Sequence, residues 1–123
     1  MLLDSNVIIY AAQPEYKALL GFIEKYAPAV SAISRVEVLG YHLLNERDRQ
    51  HFEDFFAAAT ILPISESVLS KAIELHQMRK LSLGDSLIGA TALLHGLPLI
   101  TRNVTDFGWI DGLSLVNPLE KNF

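Results

Sequence analysis

The chain opens with two leucines, an aspartate and a polar pair, Leu2-Leu3-Asp4-Ser5-Asn6, before an apolar run resumes at Val7-Ile8-Ile9-Tyr10. A short apolar stretch ahead of helical patterns reads as a buried parallel strand. Asp4 then stands at that strand's carboxyl end, the edge where open α/β sheets keep their ligands. A carboxylate pressed against a core must be hydrogen-bonded, protonated or held by a cation. This one feature points to a layered α/β fold and raises the question of whether other acids reach the same edge.

The remaining pattern extends the alternation. Pro14-Glu15 open a helix to about Tyr26, with Tyr16, Leu19, Leu20, Ile23 and Tyr26 as its stripe. Pro28 stops it, and residues 29–33 form a second strand. Ser34-Arg35-Val36-Glu37 has the form of a capping box, whose helix carries Val36, Leu39, Leu43 and Leu44. A second amphipathic helix over about 47–59 keeps Phe52, Phe55 and Phe56 on one side, at core spacing. Thr60 to Ile64 is a strand that Pro63 confines to an edge. Ser65 caps a helix over about 66–80, with Val68, Leu69, Ala72, Ile73 and Leu75 or Met78 facing inward. Residues 83–94 make the most apolar helix, stopped by Gly96. Strands at 97–101 and 114–116 follow, then a polar tail from Pro118. The expected fold is therefore α/β, with helices on both faces of a parallel sheet. No repeat or linker interrupts it, so residues 1–123 are expected to form a single domain.

Composition narrows the classes of function. Half of the residues are hydrophobic and 20% charged, as in a globular protein. With no cysteine, disulfides and thiolate metal sites are excluded. Asp4 and the absence of a basic region before the first apolar run argue against a secretory signal. His95, Gly96 and Pro98 break the longest apolar run, leaving it too short for a bilayer. A cytoplasmic location is the expectation. The net charge of −4 and the scattered lysines and arginines offer no broad basic face for nucleic acid. A bound cation among a few acids reverses that sign locally.

Four acids fall at element ends or within apolar pattern: Asp4, Glu37, Asp85 and Asp106. Asp4, Glu37 and Asp106 fit the carboxyl edge of the sheet directly, and Asp85 fits if its helix begins there. Crowded carboxylates repel and stay protonated unless a cation neutralises them. Oxygen ligands without His or Cys select Mg²⁺ or Mn²⁺, ions that lower the pKa of a bound water and clamp a phosphoryl centre. Taken singly, each acid also fits a duller role as cap, turn or dipole partner. His42, His51, His76 and His95 lack ligand spacing.

Together, LLDSNV, SRVEVLGY, LGDSLIGATALLHGLPLIT and TRNVTDF resemble the PIN domain, and specifically the VapC-type toxins of bacterial VapBC toxin–antitoxin pairs. Four short motifs occur in order across nearly the whole chain, each supplying one acid. The resemblance implies a three-layer α/β/α sandwich and a Mg²⁺- or Mn²⁺-dependent endoribonuclease. By that resemblance Asp4, Glu37 and Asp85 are its main metal-binding and catalytic acids, and Asp106 is a fourth, less stringent one. Thr101 and Asn103 match its supporting TRN segment, and Asn6 a polar neighbour of the first acid. The resemblance further implies a homodimer and a VapB-type antitoxin whose C-terminal segment wraps the toxin. Arg35 and Arg102, nearest in sequence to the acids, are candidates for holding RNA backbone.

The expected reaction is in-line hydrolysis of a structured RNA, such as a transfer RNA, in a single-stranded loop where the backbone is accessible. A non-catalytic PIN-like module that binds RNA or protein is the alternative. A haloacid-dehalogenase-like phosphatase fits less well, because Asn6 stands where its second aspartate belongs and no lysine accompanies the last acid. A receiver-type signalling module fails for want of an aspartate after the third strand.

Overall fold

The structure is a computed structural model, and it describes residues 1–119. Most of the polar tail expected from Pro118 therefore lies outside the described residues. Five short strands, β1 (Leu2–Leu3), β2 (Ala29–Ser31), β3 (Ile61–Leu62), β4 (Leu99–Ile100) and β5 (Leu115–Val116), pair in parallel in the order β3-β2-β1-β4-β5. β1 is central, and the chain winds outward from it to β3 before crossing to β4. The gap between β1 and β4 is thus the switch point of the sheet, where a ligand site is expected.

Successive strand residues face opposite sides, and the two cores follow that rule. Leu2 and Leu99 enter one apolar cluster with Val68, Leu75, Ile88 and Phe107. Leu3 and Ile100 enter the other with Val7, Leu19, Ile23, Val38, Phe52 and Phe56. Helices α1 (Ser5–Ala11), α2 (Lys17–Tyr26), α3 (Ala32–Leu39), α4 (Glu46–Ala58), α5 (Glu66–Met78), α6 (Leu83–His95) and α7 (Val104–Phe107) complete the described elements, with a 3-10 turn at Pro14–Tyr16. The result is the α/β/α sandwich expected from the sequence. Pro63 does leave β3 at an edge, Ser65 accepts from the Val68 amide at 3.2 Å, and Gly96 ends α6 at φ 62°.

Several local expectations are corrected. Val7–Tyr10, to which the sequence pattern assigned no element, belong to helix α1, because the chain turns at Asp4 and buries Val7, Ile8 and Ala11 on one helical face. The helix expected to open at Pro14 begins at Lys17, after the 3-10 turn. The capping box at Ser34 does not form. Ser31, where β2's extended backbone ends, caps α3 by accepting from the Ile33 amide at 3.2 Å. Ser34 therefore sits inside the helix, and Glu37 lies in its second turn. α3 stops at Leu39, so Leu43 is exposed, and Val38 rather than the exposed Val36 reaches the core. On α5, Leu69, Ile73 and Met78 face solvent, leaving Val68, Ala72 and Leu75 to pack.

Candidate active site

Asp4 is the first residue past β1, and its backbone N–H still donates to Ile100 of β4 at 2.9 Å. That pairing brings Thr101, the first residue past β4, alongside it. The buried Thr101 hydroxyl donates to Asp4 Oδ2 at 2.7 Å, and Thr101 Oγ1 accepts from the Asn103 backbone N–H at 2.9 Å. Asp4 is only 3% exposed. Burial pushes its carboxyl up from the usual 3.8 to about 6, against the pull of the bonds from Thr101 and the Ser5 backbone; Asp85 and Glu37 add repulsion.

α1 and α3 contribute a hydroxyl relay. Ser5 Oγ donates to Glu37 Oε1 at 2.7 Å and lies 2.8 Å from Ser34 Oγ. A hydroxyl carries one proton, so Ser34 donates to Ser5 and Ser5 to Glu37. This fixes an otherwise exposed glutamate from below. Across the cleft, α6 begins at the same edge of the sheet: Ser82 caps it by accepting from the Asp85 amide at 3.1 Å. Gly84, in that first turn, lies directly against the Glu37 carboxylate, where any Cβ would collide with it. The Asp85 carboxyl is also raised, chiefly by burial and secondarily by repulsion from Glu37 and Asp106, while Ser82 pulls it down.

Asp4, Glu37 and Asp85 line one cleft of about 560 Å³, with Ser5 and Asn6 on its floor and rim and Ile9, Tyr41 and Phe52 among its apolar walls. Asp106 does not line it. That residue is exposed on α7 and lines a neighbouring cleft of about 450 Å³, which shares Asp85. Asp85 is thus the hinge between the two. Asn103 is half-buried, contributes through its backbone, and makes no side-chain cap on α7. Arg35 is exposed on α3, and the Arg102 guanidinium lies 4.6 Å from the centre of the Tyr10 ring; neither lines the acid cleft.

The donor set is all oxygen, which suits a hard ion. Among the described residues no three His, Cys, Asp or Glu side chains are drawn together as a ready-made cage. Mg²⁺ does not require one, since it keeps several waters and takes one or two carboxylates directly. The partly desolvated pair Asp4 and Asp85, with Glu37 beside them, fits that mode: each raised carboxyl gains most from a nearby cation.

Sequence reasoning passed over Ser5 as a support, Ser82 and Gly84. Ser82-Leu83-Gly84-Asp85 carries a legible signal, the S-x-x-D pattern before an apolar run. The Ser5–Glu37 bond carries none, because it joins two helices.

A family model of the PIN domain matches residues 1–108. A chain in a toxin–antitoxin complex from Klebsiella pneumoniae is 34% identical, with 95% of this chain and 96% of that chain covered and a TM-score of 0.72. FitAcB from Neisseria gonorrhoeae is 23% identical over 98% of this chain and 99% of that chain, with a TM-score of 0.77. DNA-bound VapBC from Salmonella typhimurium is 18% identical over 94% and 95%, with a TM-score of 0.81. The last two likenesses are of fold alone. No curated protein sequence matches the chain.

Proposed function

The chain belongs to the PIN domain family, and on that premise we propose that it is a divalent-metal-dependent endoribonuclease, the toxin of a toxin–antitoxin pair. The observation that carries the reading is Asp4, a carboxylate buried at the switch point of the sheet and opening into a cleft shared with Glu37 and Asp85. Asp4, Asp85 and Glu37 would hold Mg²⁺ or Mn²⁺. When bound, such an ion neutralises phosphoryl oxygens and makes water a stronger nucleophile at neutral pH. Thr101 and the Ser34–Ser5 relay orient Asp4 and Glu37. Glu37 and Asp85, which face the cleft, align the attacking water and accept its proton. The water oxygen then bonds to phosphorus in line as one P–O bond of the RNA backbone breaks, and the departing oxygen takes up a proton from solvent. Asp106 has a supporting role from the adjoining cleft and Asn6 one beside the first acid, while Arg35 and Arg102 contact flanking backbone. The substrate is a structured RNA, such as a transfer RNA, cut where it is single-stranded.

The toxin reading draws support from the 34% identical chain of a toxin–antitoxin complex. A groove of about 360 Å³ between α2 and α4, walled by Leu20, Ile23 and Phe55, is a seat for an apolar segment of a VapB-type antitoxin. Exposed Val36, Leu69, Ile73 and Leu83 on α3, α5 and α6 support a homodimer. No helix among the described residues is long and apolar enough to cross a membrane, and the proposed site of action is the cytoplasm.

The test is incubation with total RNA in Mn²⁺ or in chelator, beside Asp4→Ala. Discrete fragments that need the metal and vanish in the variant are expected. Fragments surviving either change sink the proposal, intact RNA throughout favours a binding module, and phosphate release from small esters favours a phosphatase.

A further inference from the structure

The neighbouring cleft has a chemistry of its own. Arg79 and Lys80, in the loop between α5 and α6, line it with Trp109, Asp85 and Asp106. The Arg79 guanidinium lies 5.3 Å from the centre of the Trp109 ring. The indole is held in place, since Trp109 Nε1 donates to the Asp106 carbonyl oxygen at 2.8 Å. Among the described residues neither Arg79 nor Lys80 takes part in an ion pair. These two form the only consecutive Lys/Arg pair in the chain, and they stand beside the acid that joins both clefts.

We propose that this second cleft binds the nucleotide flanking the scissile phosphate, with Arg79 leaving the Trp109 ring to join Lys80 on the backbone and the base taking its place on the indole. The inference rests on the nuclease reading of the acid cleft and adds the path of the strand: from the acids, past Asp85, onto the cationic–aromatic surface. Arginine and lysine supply the sequence-independent attraction to phosphate. A base stacks on an indole whatever its identity, which makes the contact tolerant of sequence. The arrangement also places positive charge where an acidic protein needs it, against a polyanion one nucleotide from its own carboxylates.

Trp109 is the single tryptophan of the chain, so its emission reports on this cleft alone. The experiment titrates a short single-stranded oligoadenylate into the protein in chelator, where no cleavage occurs. Tryptophan quenching gives the location of binding, and anisotropy of a labelled copy gives the affinity. Binding quenches the wild type. The double variant Arg79→Gln/Lys80→Gln binds at least tenfold more weakly, and its slope of log affinity against log salt is shallower by about 1.4, for two lost phosphate contacts on a single strand. The double variant Lys17→Gln/Lys25→Gln, with the same charge change on α2, binds as the wild type does. Unquenched emission at saturation overturns the inference, as does equal weakening by both double variants. If cleavage proceeds while Trp109 stays silent, this inference falls and the nuclease stands. If Trp109 is quenched but RNA is never cut in Mn²⁺, the proposed activity falls and the binding cleft stands.

Discussion

Thr101 Oγ1 donates to Asp4 Oδ2 at 2.7 Å, joining the carboxyl ends of two adjacent strands that lie 97 residues apart in sequence. The same oxygen accepts the Asn103 amide, so one buried hydroxyl both orients the acid and shapes the turn into α7. Each half of that role has a measurable consequence.

Thr101→Val keeps the shape and removes the donor. Stability at pH 8, read from urea midpoints, is expected to fall by about 1–3 kcal/mol, because a buried carboxylate and an amide lose a partner. At pH 5, where most Asp4 is protonated, the loss is smaller. An equal loss at both pH values means that Asp4's charge is not involved.

The raised Asp4 carboxyl makes the metal-free protein less stable as pH climbs. Between its ordinary 3.8 and its folded value of about 6, the folded state binds more protons than the unfolded state. Stability is therefore greatest below about 4 and declines until about 6 for this group, by on the order of 2–3 kcal/mol. Asp85, shifted in the same direction, steepens the decline. Asp4→Asn is expected to flatten most of it in chelator-treated samples. A wild-type stability that rises across this window through the same site contradicts the assignment.

Metal addition is expected to reverse that penalty. Mn²⁺ at a hundredfold excess over its dissociation constant is expected to stabilise the wild type by about 2.7 kcal/mol, and more at pH 7.5 than at pH 5, since ligands must lose their protons. Asp4→Ala and Asp85→Ala each abolish most of the gain. Ser5→Ala, which frees Glu37 from its relay, weakens Mn²⁺ binding about tenfold. Thermal shifts that are identical in all four proteins place the ion elsewhere.

Gly84→Ala separates stability from activity. Alanine favours a helix over glycine by up to about 1 kcal/mol, yet the new methyl occupies the space of the Glu37 carboxylate. Because the obstacle is the far end of a long side chain held by a single hydrogen bond from Ser5, the helix survives and the glutamate moves. Unchanged or higher melting temperature with RNA cleavage reduced about tenfold is expected. Full activity in a folded variant would show that Glu37's position does not matter.

The sequence by itself determined the alternation of strands and helices, the parallel sheet, the edge position of β3 and the placing of Asp4 past the first strand. These are local matters, set by apolar period, by proline and by caps such as Ser65 and Gly96. Tertiary structure decided which polar groups meet. Ser34 looked like a cap because Glu37 follows at the right interval, but β2 ended at Ser31 and freed Ser34 to bond Ser5 across two helices. Val7–Tyr10 read as an apolar run until packing against α2 and α3 gave it a helical face. Thr101 meets Asp4 only because β1 and β4 are neighbours, and Asp106 sits in a separate cleft because α7 turns it there. Periodicity encodes which face of an element is buried; the pairing of side chains from distant elements depends on strand order and helix entry, which no window of sequence contains.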